Sequence, residues 1–266
     1  MDLELQNFAL KSYIAFQLEI VYEKENYNMS LSDDLTEASQ YTGGIFKQIG
    51  DLLILFIISI IPIVNFIALG YYARILRDNP SSKTPPRLAG YMDMFIDGLK
   101  IIVVAIIWAI IIGVIAVLIA IPFIALAALS GLLTNPLSLI TSAWILVLAP
   151  FLVIFGIIAF LLGIFAFMGI VNMVKKNSFG KAFAFGEIFN MIGKIGWLRY
   201  IAFFIVFFIA GAVVSAISGA AGPLGWVISA FLSVLVGIFF SRTIELLYDK
   251  TAGQTTQPPS TQTTTV

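Results

Sequence analysis

Few residues in this chain could do chemistry, and their types narrow what that chemistry is. Histidine and cysteine are both absent from the 266 residues. Zinc hydrolysis, haem ligation, thiol catalysis and imidazole acid–base catalysis therefore lose their usual side chains. Asn65 stands in a long uncharged run, just after Pro62. Proline removes a backbone donor and frees a carbonyl one turn earlier. A kinked helix with a polar side chain at mid-membrane is how ion and solute sites are often built. The plainer reading, which weighs more, is an interhelical hydrogen bond that stiffens a bundle. Asn65 and Pro62 are thus the candidate polar intramembrane site. Arg242 and Glu245, one helical turn apart, read as a surface ion pair contributing about 0.2–0.5 kcal/mol. Asp97 and Glu187 fall on interfacial segments, so no carboxylate reaches mid-membrane and proton-coupled transport loses weight. No phosphate-binding loop, dinucleotide fingerprint or nucleophile elbow is present. The expectation is a non-enzyme with no catalytic residue, no cofactor and no metal.

A second set of residues concerns packing. Gly211, Ser215 and Gly219 recur every four residues along one apolar run, and Ser229, Ser233 and Gly237 do so along the next. Small residues at this spacing let helix backbones approach closely. A hydroxyl-lined path is the alternative, and packing is the stronger reading.

The elements that carry these residues follow from where the charges are. Hydrophobic residues make up 60% of the chain and charged ones 11%, against about 25% charged in a soluble domain. Lys+Arg and Asp+Glu balance at 15 each, so net charge suggests no nucleic-acid partner. Long uncharged runs separate a few charged segments. Helices apolar all round need lipid as their solvent, so the bilayer is the expected partner. A membrane helix takes about 20 apolar residues. The gap 52–73 holds one helix and 200–241 holds two, turning at Gly222-Pro223. The gap 101–174 holds two or three. Its flanks arbitrate: Arg74, Arg77, Lys83, Arg87 and Lys100 precede it, and Lys175, Lys176, Lys181, Lys194 and Arg199 follow it. Both basic segments can be cytoplasmic only if an even number of helices separates them.

The expected fold is therefore all-α, a polytopic helical membrane bundle of about five transmembrane helices plus two interfacial amphipathic helices. The spans are 52–73, 101–121, 143–171, 200–220 and 224–247. Residues 122–142 form an outer hairpin with a turn at Asn135-Pro136. The domains read as an N-terminal outer or interfacial segment over 1–50, a transmembrane domain over 51–250 and a disordered Thr/Gln/Pro-rich tail over 251–266. The location is the cell membrane, with the N-terminus outside and the C-terminus cytoplasmic. Asp2 and Glu4 do not suit a signal peptide. Residues 1–22 fit a strand or a helix face. Asn28-Met29-Ser30 is a glycosylation sequon, lightly weighted.

Two linkers share a design. After Arg77, the run Leu88, Met92, Phe95, Leu99 has helical spacing. After Lys176, so do Phe179, Ala182, Phe185 and Phe189. Both read as amphipathic helices on the cytoplasmic surface, 88–99 and 179–194, by duplication or by shared lipid constraints.

The layout resembles an archaeal family of multi-pass membrane proteins, domain of unknown function 4013. The resemblance lies in Ile61-Pro62-Ile63-Val64, in Gly70-Tyr71-Tyr72-Ala73-Arg74-Ile75-Leu76-Arg77, in Phe95-Ile96-Asp97-Gly98-Leu99-Lys100 and in Ala182-Phe183-Ala184-Phe185-Gly186-Glu187-Ile188. It extends over about residues 35–250. Pro85-Pro86-Arg87-Leu88 departs from the Leu-Pro order usual there. The resemblance implies a membrane location and no activity. The expected role is a scaffold or accessory subunit with a membrane-protein partner or a second copy, and the alternative is a small-solute transporter or channel near Pro62 and Asn65.

Overall fold

The computed structural model describes residues 31–129 and 143–253. Among them every regular element is a helix. In chain order these are α1 (Leu31–Gly43), a 3-10 turn (Gly44–Gln48), α2 (Ile49–Ile60), α3 (Phe66–Leu76), α4 (Tyr91–Leu129), α5 (Ala143–Lys176), a 3-10 turn (Phe179–Phe183), α6 (Phe185–Ile195), α7 (Trp197–Ala220), a 3-10 turn (Gly222–Leu224) and α8 (Gly225–Gly253). Five stretches are long and apolar enough to cross a membrane: Leu31–Ile60, Tyr91–Leu129, Leu148–Lys176, Trp197–Ala220 and Gly222–Asp249. The all-α bundle read from the sequence is therefore what forms.

The first span differs from the expected 52–73. Pro62 does more than kink it. The residue before a proline is pushed out of the helical region, and Ile61 is extended at φ −90, ψ 116. Ile63 then takes φ 71, and the chain reverses through Ile61–Asn65. The incoming limb (α1, its 3-10 turn and α2) and α3 form a hairpin. The Tyr41 hydroxyl donates to Asp78 at 2.9 Å, the Gln48 amide donates to the Pro85 carbonyl at 2.9 Å, and the Leu88 N–H donates to Asp51 at 3.4 Å. All three contacts are 37 residues apart, so 78–88 runs alongside 41–51 in the same direction. α3 has 11 residues, about 16 Å at 1.5 Å per residue. That is too short to cross a hydrocarbon core of about 30 Å. Expected at opposite ends, residues 31–50 and the C-terminal part of α8 stand at one end, because the hairpin returns the chain to its starting side.

The middle gap contains α4 and α5, as charge placement implied. α4 runs on through Pro122 to Leu129, further than the expected end at 121. At 39 residues it is about 58 Å long. Phe123 and Phe151 meet edge-on at 5.6 Å, and Asp97 and Val174 line one recess at the other end, so α4 and α5 pair antiparallel. The expected interfacial helix 88–99 is not a separate element: from Tyr91 it is the opening of α4, with no break before the apolar run. The second amphipathic segment is separate. Gly196, at φ 92, ends α6 and redirects the chain into α7. α6 buries Ile188, Ile192 and Ile195, and exposes Phe185 and Phe189. α8 runs to Gly253, past the expected start of the tail at 251; the rest of that tail and the expectations for 1–22, Asn28 and Asn135-Pro136 lie outside the described residues.

Two buried clusters hold the bundle. One joins α5, α6, α7 and α8 through Met168, Ile188, Phe203 and Ile244. The other joins the hairpin to α8 through Leu52, Leu55, Tyr71, Val234 and Ile238. The tightest approach is α3 on α4. A Cβ on Gly70 would lie 1.7 Å from the Met94 carbonyl oxygen, and one on Gly98 would lie 1.8 Å from that of Phe66.

Candidate functional site: the polar pole

The charged segments that the sequence spreads over 200 residues fold to one end of the bundle. Arg242 lies at its centre. It continues the face of α8 that carries Val234 and Ile238, and is fully buried. Its Nη1 donates to the Glu245 carboxylate at 2.8 Å and to the Asn79 carbonyl at 3.2 Å. Its Nη2 donates to Glu37 at 3.0 Å, to the Ser82 carbonyl at 3.0 Å and to the Pro80 carbonyl. The guanidinium also lies over the Tyr41 ring, 4.5 Å from its centroid. One side chain thus ties α8 to α1 and to the connection between α3 and α4. A planar fork of five donors suits several carbonyls at once, which a lysine cannot match.

The expectation of a surface pair at Arg242 and Glu245 is corrected here. Both residues are fully buried, because the hairpin and the 79–82 loop cover this turn of α8. Glu245 also faces Lys175 of α5, 3.8 Å away, and Lys175 in turn binds Asp249 at 2.7 Å. Charges removed from water this way are costly singly and tolerable only as a set.

A second group docks α6. Glu187 accepts from Lys176 at 2.8 Å, from Lys181, and from Asn172 at 3.3 Å. The donors hold its carboxyl well below the ordinary 4.5, at about 2, with Lys176 the largest contribution, then Lys181 and Asn172. Asn172 donates to the Lys181 carbonyl at 3.0 Å, and Gly169 leaves room for Ala182, whose carbonyl oxygen would lie 2.4 Å from a Cβ there.

A third group surrounds a small recess of about 90 Å³ between the end of α3, the start of α4 and the end of α5. α5 ends on Asn177, at φ 46, with Ser178 N–H donating to the Met173 carbonyl at 3.1 Å. Such a left-handed cap satisfies carbonyls that a helix end leaves open. The Arg77 Nε donates to the Val174 carbonyl at 2.9 Å, and its Nη1 binds Asp97. Asp97 accepts also from Lys100 at 3.1 Å.

The residues singled out from sequence are scattered. Asn65 and Pro62 are exposed on the turn between α2 and α3, away from the pole. The Asn65 carbonyl accepts from Ala68 at 3.0 Å and Leu69 at 3.2 Å, so its backbone opens α3. Gly211, Ser215 and Gly219 are exposed on α7, and nothing lies within 4 Å of a Cβ at either glycine. Ser233 is exposed and Ser229 half-buried. Of the three glycines, Gly237 alone is packed closely, against the Tyr72 ring. Sequence reasoning missed Gly70 and Gly98 as the crossing point, although both stand in the motifs quoted above. It also missed the depth of Arg242, for which an ionisable residue inside an apolar helix was the available signal.

The pole can bind the chain to itself and offer cationic donors at one recess. Among the described residues, no group of three or more carboxylates is placed to hold a metal ion. No curated protein and no solved structure matches the chain. A family model does match, over residues 54–222, from α2 through the 3-10 turn after α7. On that match, the chain belongs to the family described as a protein of unknown function (DUF4013).

Proposed function

We propose that this chain is a multi-pass protein of the cell membrane, serving without catalysis as a scaffold or accessory subunit. An archaeal source, implied by the resemblance, belongs to the same proposal. Large apolar side chains exposed along α4, α5 and α7, such as Ile110, Val117, Leu152, Ile157, Phe208 and Ile209, give lipid its contact surface. The basic residues of the pole favour the cytoplasmic side for that end, since cytoplasmic segments carry an excess of Lys and Arg. The observation that carries the role is the engagement of the polar groups: the two Nη groups of Arg242 bond five acceptors of the same chain. Such a pole is built to hold helices in register and present a fixed surface.

Transport is the second reading, favoured by the broken α2–α3 hairpin with Ile63 at φ 71. Interrupted helices line many solute sites. Reconstitution separates the two. Proteoliposomes with the full chain should be as tight to ions, sugars and amino acids as empty vesicles. A solute flux abolished by Asn65→Leu would overturn the scaffold reading and install transport.

A further inference from the structure

The recess beside α5 has a composition that its structural duties do not exhaust. Its polar lining includes Arg77, Asp97, Lys100 and Ser178, and Phe179 closes one side. Asp97 is fully engaged, one oxygen on Arg77 and the other on Lys100. Two cations against one carboxylate leave a net positive charge at the mouth. The Arg77 Nη2 has no protein acceptor among the described residues, whereas its Nε and Nη1 are anchored. The Lys100 side chain is 44% exposed and engages only Asp97. The guanidinium is therefore held in place with donors to spare, which suits a bidentate oxyanion. The space, about 90 Å³, admits a phosphate group.

What adjoins the recess narrows the source of that phosphate. On α4, Ile96, Leu99 and Val103 are 43%, 42% and 39% exposed, and Phe179 is 42% exposed. Lys100 and Val103 are one helical turn apart, so an apolar strip leads directly from the charged mouth along the helix. A soluble anion has no use for such a strip; acyl chains do. We propose that this recess binds the phosphate of an anionic phospholipid, with Arg77 and Lys100 on the phosphate oxygens and an acyl chain along Leu99 and Val103. The proposal rests on the membrane reading above.

The full chain, purified in neutral detergent, would be titrated with phosphatidylglycerol or phosphatidylcholine of equal acyl length. Retained lipid would be counted by native mass spectrometry. Phosphatidylglycerol should be held at least about five-fold more tightly. Lys100→Gln should lower that preference about five-fold, the effect of one basic residue at an anionic lipid surface. Lys100→Arg should keep it. Arg87→Gln, whose 74% exposed side chain pairs with Asp51 away from the recess, should leave it unchanged. Millimolar inorganic phosphate should not displace the lipid. Equal retention of the two lipids, an unchanged preference in Lys100→Gln, or displacement by free phosphate would overturn the site. Alkaline carbonate extraction of native membranes keeps the two proposals apart. Release of the chain sinks the membrane reading and this site with it, whereas a retained chain with no lipid preference sinks the site alone.

Discussion

Single residues at the pole and at the α3–α4 crossing should dominate stability. Arg242→Ala would leave Glu245, fully buried, with Lys175 alone, 3.8 Å away and shared with Asp249. Breaking one partner from a buried pair costs about 3–5 kcal/mol. Arg242→Lys should recover little, since it lacks the fork that reaches Glu37 and the 79–82 carbonyls together. Removing both charges as Arg242→Met with Glu245→Leu should restore the part of the loss due to the buried Glu245 ion, while the Asn79, Pro80 and Ser82 carbonyls stay without their donor. Thermal unfolding in detergent reads all three, and a double variant as unstable as the single would refute the argument. Two glycines of one helix give opposite signs. Gly98→Ala places a Cβ 1.8 Å from the Phe66 carbonyl oxygen and should destabilise by about 1–3 kcal/mol as α3 and α4 separate. Gly113→Ala meets nothing within 4 Å and should stabilise by up to about 1 kcal/mol through helix propensity.

At the scale of elements, the α2–α3 hairpin and α6 each carry a testable feature. Ile63 is β-branched and sits at φ 71, a conformation costing about 1–3 kcal/mol. Its side chain is 66% exposed, so little packing is lost on removing it. Ile63→Gly should therefore raise the unfolding temperature; a fall would mean that the side chain contributes more than the strain costs. α6 is pinned by Glu187, whose folded pKa is depressed to about 2 from 4.5. A depressed carboxyl contributes stability that is fully present above its unfolded pKa and is lost as the proton binds. The docking of α6 should thus be constant above about pH 5 and weaken as pH falls toward 2. Hydrogen exchange across 185–195 should show it, and Glu187→Gln should flatten the profile.

For the whole molecule, the hairpin decides which ends share a side. The chain has no cysteine, so single cysteines report cleanly. Cysteines at Glu37, Arg87 and Lys176 should all react with an impermeant reagent from one face, and one at Leu224 from the other. Labelling of residue 37 from the Leu224 side would refute the hairpin, for it would require a single crossing between residues 37 and 87. Reading 52–73 as one crossing put residues 31–50 on the wrong side of the pole. Hydropathy registers that a run is apolar and is silent on whether the chain turns within it. The pair Ile61-Pro62 was visible, yet whether a proline kinks or ends a helix depends on what covers the freed carbonyl.

The sequence by itself determined the element type and the apolar surface its helices expose. Uncharged runs of bilayer length between basic clusters admit little besides apolar helices, since backbone groups in lipid must bond within their own segment. The two long apolar helices between 100 and 175 were expected from charge placement, and the absence of histidine and cysteine set limits on chemistry before any folding. Only the tertiary structure decided which polar residues are buried. Arg242 and Glu245 look like any surface pair along the chain. They became the centre of the pole because residues 37 and 79–82, far off in sequence, fold over them. It likewise decided that Gly70 and Gly98, and not the regular small-residue stripes of α7 and α8, mark the closest crossing. A stripe shows that a helix can be approached; contact depends on which neighbour the connections bring to it, and that is a property of the assembled bundle.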